Sequence, residues 1–222
     1  TPAQVLAGSP ELCPQASQPN LAGLPPVRVN EDGIPIEAVL IFYEPVDWSA
    51  ELQVIVDALK GGCPLGSGTC GVGEQAVTVY ASNPDFLWQA AYAVPRFGQG
   101  AFLECLSALW RRVSGGGALQ VTEYGKPHPV QYQAAEQMLT NIQTGMNGRD
   151  HNSVGMGRIY MIGDNPAADV RGANRMGGAW RSVLVCTGVF KDGANRNDSQ
   201  DPAWLVQPDL RTTVEHLLQI PE

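Results

Sequence analysis

The sequence is short of positive charge: 14 lysines and arginines stand against 22 aspartates and glutamates, a net charge of -8. No basic stripe is present to neutralise nucleic-acid phosphates or hold an anionic membrane, so neither a nucleic-acid partner nor a polybasic membrane anchor is expected. Long apolar runs are also missing. The longest, Ala38 to Tyr43, falls far short of the roughly 20 residues a spanning helix needs, and no membrane span is expected. The five cysteines are an odd set with no CxxC pair, which fits free thiols in a reducing compartment better than a disulfide framework. Cys63 and Cys70 flank a glycine-rich loop and keep pairing or zinc binding open as a minor alternative. No internal repeat, targeting pattern or Gly-x-Gly-x-x-Gly after a strand is found, and the last absence disfavours a dinucleotide-binding module.

What is present is a globular balance, 44% hydrophobic and 16% charged over 222 residues, enough for one large domain or two small ones. Residues 1–35, rich in Pro, Gly, Ser and Asn, read as a linker or irregular segment. Strands are expected at Ala38–Tyr43, Ala76–Ala81, Leu119–Val121, Arg158–Ile162 and Ser182–Val185. Helices are expected at Trp48–Lys60, Phe102–Val113, Pro129 to about Gln143, Ala168–Met176 and Leu210–Ile220. This alternation predicts an α/β fold with parallel pairing, right-handed crossovers and sites at the carboxyl ends of strands. A boundary between two units is expected near Gly115 to Gly125, and Trp88 and Trp110 are expected in the core of the first. His128 and His151 read as surface residues.

Chemistry concentrates at Gly163-Asp164-Asn165-Pro166-Ala167-Ala168-Asp169. A strand stopping at Gly-Asp delivers a carboxylate to the sheet's carboxyl edge, an oxygen ligand of the kind magnesium takes. Asp169, five residues on, opens the next helix, where it can steady a metal-bound water or a lysine. Taken alone, the same residues also describe a plain turn followed by a helix cap. Lys126, in Tyr124-Gly125-Lys126-Pro127 at the head of a helix, is either a solvated loop charge or a cation placed to meet a phosphoryl oxygen.

A Gly-Lys-Pro opening one helix and a Gly-Asp-x-x-x-x-Asp opening the next resemble, in that order, the haloacid dehalogenase (HAD) phosphatases. The resemblance continues through Ala173-Asn174 and Thr187-Gly188-Val189. Upstream, Tyr80-Ala81-Ser82-Asn83-Pro84-Asp85 resembles the cap element of subfamily IIA, the NagD-like group. Glu44-Pro45-Val46-Asp47-Trp48 and Pro95-Arg96-Phe97-Gly98-Gln99-Gly100 resemble the eukaryotic branch named after the cat eye syndrome critical region protein. The resemblance covers roughly residues 36–220.

It implies a Rossmann-like HAD core, of which the C-terminal half is present at residues 119–222, and an α/β C2-type cap at residues 36–118. It further implies a Mg2+-dependent phosphomonoester hydrolase acting on a small phosphorylated metabolite through an aspartyl-phosphate, with a non-catalytic binding or scaffold protein of the same fold as the alternative. Asp164 would bind the metal, Lys126 and Asp169 would serve catalysis, and Asn83 and Asp85 in the cap would meet substrate. An intracellular location, mitochondrial or cytoplasmic, is implied as well.

The family's first motif, a strand followed by Asp-x-Asp-Gly, and its second, a strand ending in Ser or Thr, are not found. Glu31-Asp32-Gly33 is led by Asn30 with no buried strand before it, and it reads as a turn. That first segment supplies both the nucleophile and the central strand of the family's sheet. The resemblance therefore implies that residues ahead of Thr1, or a partner chain, complete the core, since a sheet lacking its centre exposes unpaired edges.

Overall fold

A computed structural model of the chain describes residues 1–14, 23, 25–28, 36–69, 71–147 and 157–220. It divides into two units, one of residues 1–84 and 98–123, the other of residues 85–97 and 124–222.

The first unit is built on a parallel sheet of β1 (Ala38–Ile41), β2 (Thr78–Ala81) and β5 (Val121–Glu123), in the order β1-β2-β5. Val79 sits opposite Val39 on one side and Val121 on the other, so β2 is the central strand. Two helices cover the sheet. The first, α2 (Trp48–Lys60), begins where the Asp47 carboxylate accepts from the Ala50 N–H at 3.2 Å, capping an otherwise unsatisfied first turn. Its apolar residues at positions 54, 55, 58 and 59 recur at helical spacing and are buried. The second, α3 (Gln99–Val113), buries Phe102, Leu106 and Trp110 on one face. These side chains join Ile41, Ile55, Leu59 and Val79 in one core. A short helix, α1 (Pro2–Gly8), stands within the stretch read as irregular, closed by a capping box in which Thr1 and Gln4 exchange hydrogen bonds. Val5 and Leu6 pack on Ala50 and Val54, so two apolar side chains were enough to fix a seven-residue helix that lacks a long periodic signal.

The second unit holds a parallel sheet of β6 (Ile159–Gly163), β7 (Trp180–Val185) and β8 (Leu205–Gln207), in the order β6-β7-β8. Ile159 pairs with Trp180 and Val183 with Leu205, so β7 is central and, among the described residues, β6 is hydrogen-bonded along one edge only. Helix α4 (Pro129–Asn147) precedes β6; a five-residue π-helical turn, Pro166–Val170, and α5 (Arg171–Met176) follow it. Helix α6 (Leu210–Leu217) closes the chain, with the Asp209 carboxylate accepting from the Thr212 N–H at 2.7 Å. Tyr132, Ile159, Ala173 and Trp180 form one core cluster, and Val170, Leu184, Phe190 and Ala203 another.

A two-stranded antiparallel hairpin, β3 (Leu87–Trp88) with β4 (Arg96–Phe97), also belongs to this second unit, although it interrupts the sequence of the first. Trp88 therefore does not share the core that holds Trp110. It is half exposed on the hairpin, its indole N–H donating to the Phe97 carbonyl at 3.2 Å, because strands of two residues have little face to bury. His128 is half-buried. Cys63 is exposed; Cys70, His151 and the Glu31-Asp32-Gly33 turn lie outside the described residues. No described helix is long and apolar enough to cross a membrane.

Candidate active site

The half-buried strand β6 runs out at Gly163, and Asp164 follows at the carboxyl edge of the sheet. Its carboxylate accepts from the Val189 N–H at 2.6 Å, and its own carbonyl accepts from the Phe190 N–H at 3.0 Å. The loop that leaves β7 is thus tied to Asp164 twice, which fixes the position of the carboxylate. Gly188 makes this possible: a Cβ there would overlap the Asp164 carboxylate. Gly163 plays the same part for Asp169, whose carboxyl group fills the space a Cβ on residue 163 would take.

Asn165 starts the π-helical turn by accepting from the Ala167 N–H through its side chain at 3.1 Å. The turn carries Asp169 back toward the strand end. One Asp169 oxygen accepts from the Asn165 N–H at 3.0 Å and the other meets the Lys126 ammonium at 2.5 Å. Asp169 is 3% exposed and Lys126 30%, so this ion pair is sheltered on the acidic side and open on the basic side. Burial pulls the Lys126 pKa down. The hydrogen bond and charge of Asp169, then the charges of Asp85 and Asp164, outweigh that pull, and the net direction is upward. Lys126 is therefore held as an ammonium, with three carboxylates acting on it. Tyr132 is pushed well above its ordinary value by burial first and then by Asp169 and Asp85, so its hydroxyl stays protonated.

Lys126, Asp164 and Asp169, singled out from the sequence as a possible constellation, are brought together. Asp85 lies in the same unit, at the root of the β3–β4 hairpin, and acts electrostatically on Lys126. Asn83 falls in the other unit, where its N–H donates to the buried Gln99 side chain at 2.8 Å. Sequence reasoning missed the seating of Asp164 by Gly188 and Val189. The Thr187-Gly188-Val189 signature was visible, but only the fold shows which carboxylate needs that glycine. Among the described residues no three or more His, Cys, Asp or Glu gather as a cage for a metal. The carboxylate oxygens at this strand end are nonetheless donors of the hard type magnesium uses, an ion that keeps several waters and needs only one or two protein carboxylates.

Residues 123–213 match the family model described as HAD-hydrolase-like, a span that includes Lys126, Asp164 and Asp169. This segment belongs to the haloacid dehalogenase-like family. The HAD-like chain is 34% identical over 161 residues to a protein of Schizosaccharomyces pombe named cardiolipin synthase (CMP-forming) / mitochondrial hydrolase fusion protein, covering 71% of this chain and 25% of that one. It is also 34% identical over 173 residues to a mitochondrial hydrolase of Saccharomyces cerevisiae, covering 71% of this chain and 48% of that one. It spans about half the length of one relative and a quarter of the other. Among solved structures, a hypothetical protein of Pyrococcus horikoshii shares the fold, with a TM-score of 0.53 and 18% identity over 82% of this chain and 54% of that one. The HAD-like assignment agrees with the parallel sheets and with the strand-to-helix order around the site.

Proposed function

We propose that this chain supplies the rear wall of the active site of a magnesium-dependent HAD-type phosphatase that hydrolyses a small phosphorylated metabolite. The observation that carries the reading is the fixed Asp164 carboxylate beside the half-sheltered Asp169–Lys126 ion pair at the end of β6. In this reading Asp164 holds Mg2+, which when bound neutralises charge between substrate and nucleophile. Lys126, kept protonated by Asp169, stabilises phosphoryl oxygens through a point charge. Asp169 holds Lys126 in place, and Asp85 and Asn83 meet the substrate. Residues 36–118 serve as the cap that restricts substrate size. The nucleophilic aspartate that forms the aspartyl-phosphate comes on a strand laid along the edge of β6 that no described strand pairs with, contributed by residues ahead of Thr1 or by a partner chain. The names of the two fungal relatives support a mitochondrial location.

Phosphate release from a panel of phosphomonoesters tests the activity in the completed protein. Turnover is expected with Mg2+, is expected to vanish with a chelator, and is expected to fall steeply in Asp164→Asn. A completed protein without magnesium-dependent turnover on any member would remove the enzyme reading. The alternative reading is a binding or scaffold protein of the same fold without turnover. Intact-mass measurement of the natural protein separates the two. A mass above 23.7 kDa or a copurifying strand-bearing peptide supports the enzyme, and a mass of 23.7 kDa alone supports the scaffold.

A further inference from the structure

Tyr132 lies outside every motif that carries the HAD resemblance, yet it is 2% exposed and pressed against the turn that carries Asp169. Its hydroxyl donates to the carbonyls of Ala168 and Asp169, each 3.3 Å away. Those two carbonyls belong to the π-helical turn Pro166–Val170. A π-helical turn is wider than an α-helical one, rare, and frequently found at functional sites. The ring itself has little freedom. It meets Trp180 edge-on, with centroids 5.2 Å apart and planes at 78°, and the Trp180 indole N–H donates to Glu136 at 3.2 Å. On the other side Gly172 leaves the space the hydroxyl occupies, since a Cβ at that position would collide with it. Helix α4, helix α5 and strand β7 therefore converge on one tyrosine side chain, whose hydroxyl meets, among the described residues, the carbonyls of Asp169 and its neighbour.

We propose that Tyr132 is the positioning residue of the Lys126–Asp169 pair, its hydroxyl fixing the π-helical turn so that the Asp169 carboxylate faces the Lys126 ammonium. The role rests on the functional reading above only for its consequence in catalysis; the geometric coupling stands by itself. The chain contains three lysines, Lys60, Lys126 and Lys191, which makes amine labelling a direct readout. The second-order rate of acylation by an amine-selective ester is measured at each lysine by peptide mass spectrometry, in the folded 222-residue chain.

Tyr132→Phe is expected to raise labelling of Lys126 by about three- to tenfold, the equilibrium weight of one hydrogen bond, with Lys60 and Lys191 unchanged. Asp169→Asn is expected to raise it at least as much, and the double variant no further, because both act on the same pair. If Tyr132→Phe does not fold, Gly172→Ala serves instead: its Cβ pushes the hydroxyl and the adjoining ring edge away from the turn, and it is expected to have the same selective effect. An unchanged Lys126 rate, a rise shared by all three lysines, or full additivity in the double variant would each overturn the proposal. None of these readouts requires phosphatase turnover, so failure of this inference and failure of the phosphatase reading are separable.

Discussion

Both carboxylate oxygens of Asp169 are committed, one to a backbone N–H and one to Lys126, in a place almost closed to water. Replacing it with Asn keeps the shape and removes the charge. Lys126 then loses the largest of the influences that hold its pKa up, and burial is opposed only by the charges of Asp85 and Asp164. Breaking a fully buried pair costs about 3–5 kcal/mol, but the ammonium here is partly solvated, so about 1–2 kcal/mol is expected for Asp169→Asn in urea unfolding. The same pair sets an alkaline limit. A lysine whose folded pKa is raised contributes stability that is fully present below its unfolded value of 10.5 and is lost as the pH climbs through the higher folded value. Melting temperature should therefore fall more steeply above pH 10.5 in the wild type than in Lys126→Met, which has no such charge to lose. Gly188→Ala makes a different test, because its Cβ must displace the Asp164 carboxylate from the Val189 N–H. A destabilisation of about 1–3 kcal/mol by overpacking is expected, together with weaker Mg2+ binding to the completed protein by calorimetry.

At the scale of elements, sequence periodicity found the long helices and several strands, although the apolar run read as a buried strand at Ala38–Tyr43 pairs only over Ala38–Ile41 and leaves Leu40, Phe42 and Tyr43 exposed; the reason for the successes is visible in particular residues. Trp48–Lys60 was expected and is found with those ends, because Asp47 caps it and its apolar residues repeat on one face. Strand β6 was expected one residue earlier than it starts and ends at the Gly163 that passes the chain to Asp164. The elements that escaped are those with too few residues to show a period. Helix α1 depends on Val5 and Leu6 meeting α2, the β3–β4 hairpin has four residues in its strands, and β8 has three. Nor could periodicity reveal that residues 85–97 join the second unit, since that depends on contacts distant in sequence. The site was legible in the same uneven way. Its charged members stand in short motifs, whereas the Asp164–Val189 and Tyr132–Asp169 contacts join segments 25 and 37 residues apart. The cap of α2 offers a local test. Asp47→Ala removes the acceptor of the Ala50 N–H and is expected to cost about 1 kcal/mol in urea unfolding, with midpoint lowered and slope unchanged.

At the scale of the whole molecule, the chain passes between its two units after residues 84, 97 and 123. Each unit nevertheless has its own parallel sheet and its own buried clusters, with no residue shared between them. A core defect should then open the unit that contains it. Leu106, fully buried against Phe102 and Trp110 in the first unit, and Leu184, fully buried against Val170 and Phe190 in the second, are matched probes. Truncation of either to Ala leaves a cavity expected to cost about 2–5 kcal/mol. Hydrogen exchange reads where that cost is taken. Leu106→Ala is expected to speed exchange at the β1 and β2 amides and leave β7 protected; Leu184→Ala should do the reverse. Equal loss of protection in both sheets from either substitution would mean that the crossings bind the units into one cooperative fold. A selective loss would mean that the HAD-like sheet keeps Asp164, Lys126 and Asp169 assembled independently of the first unit.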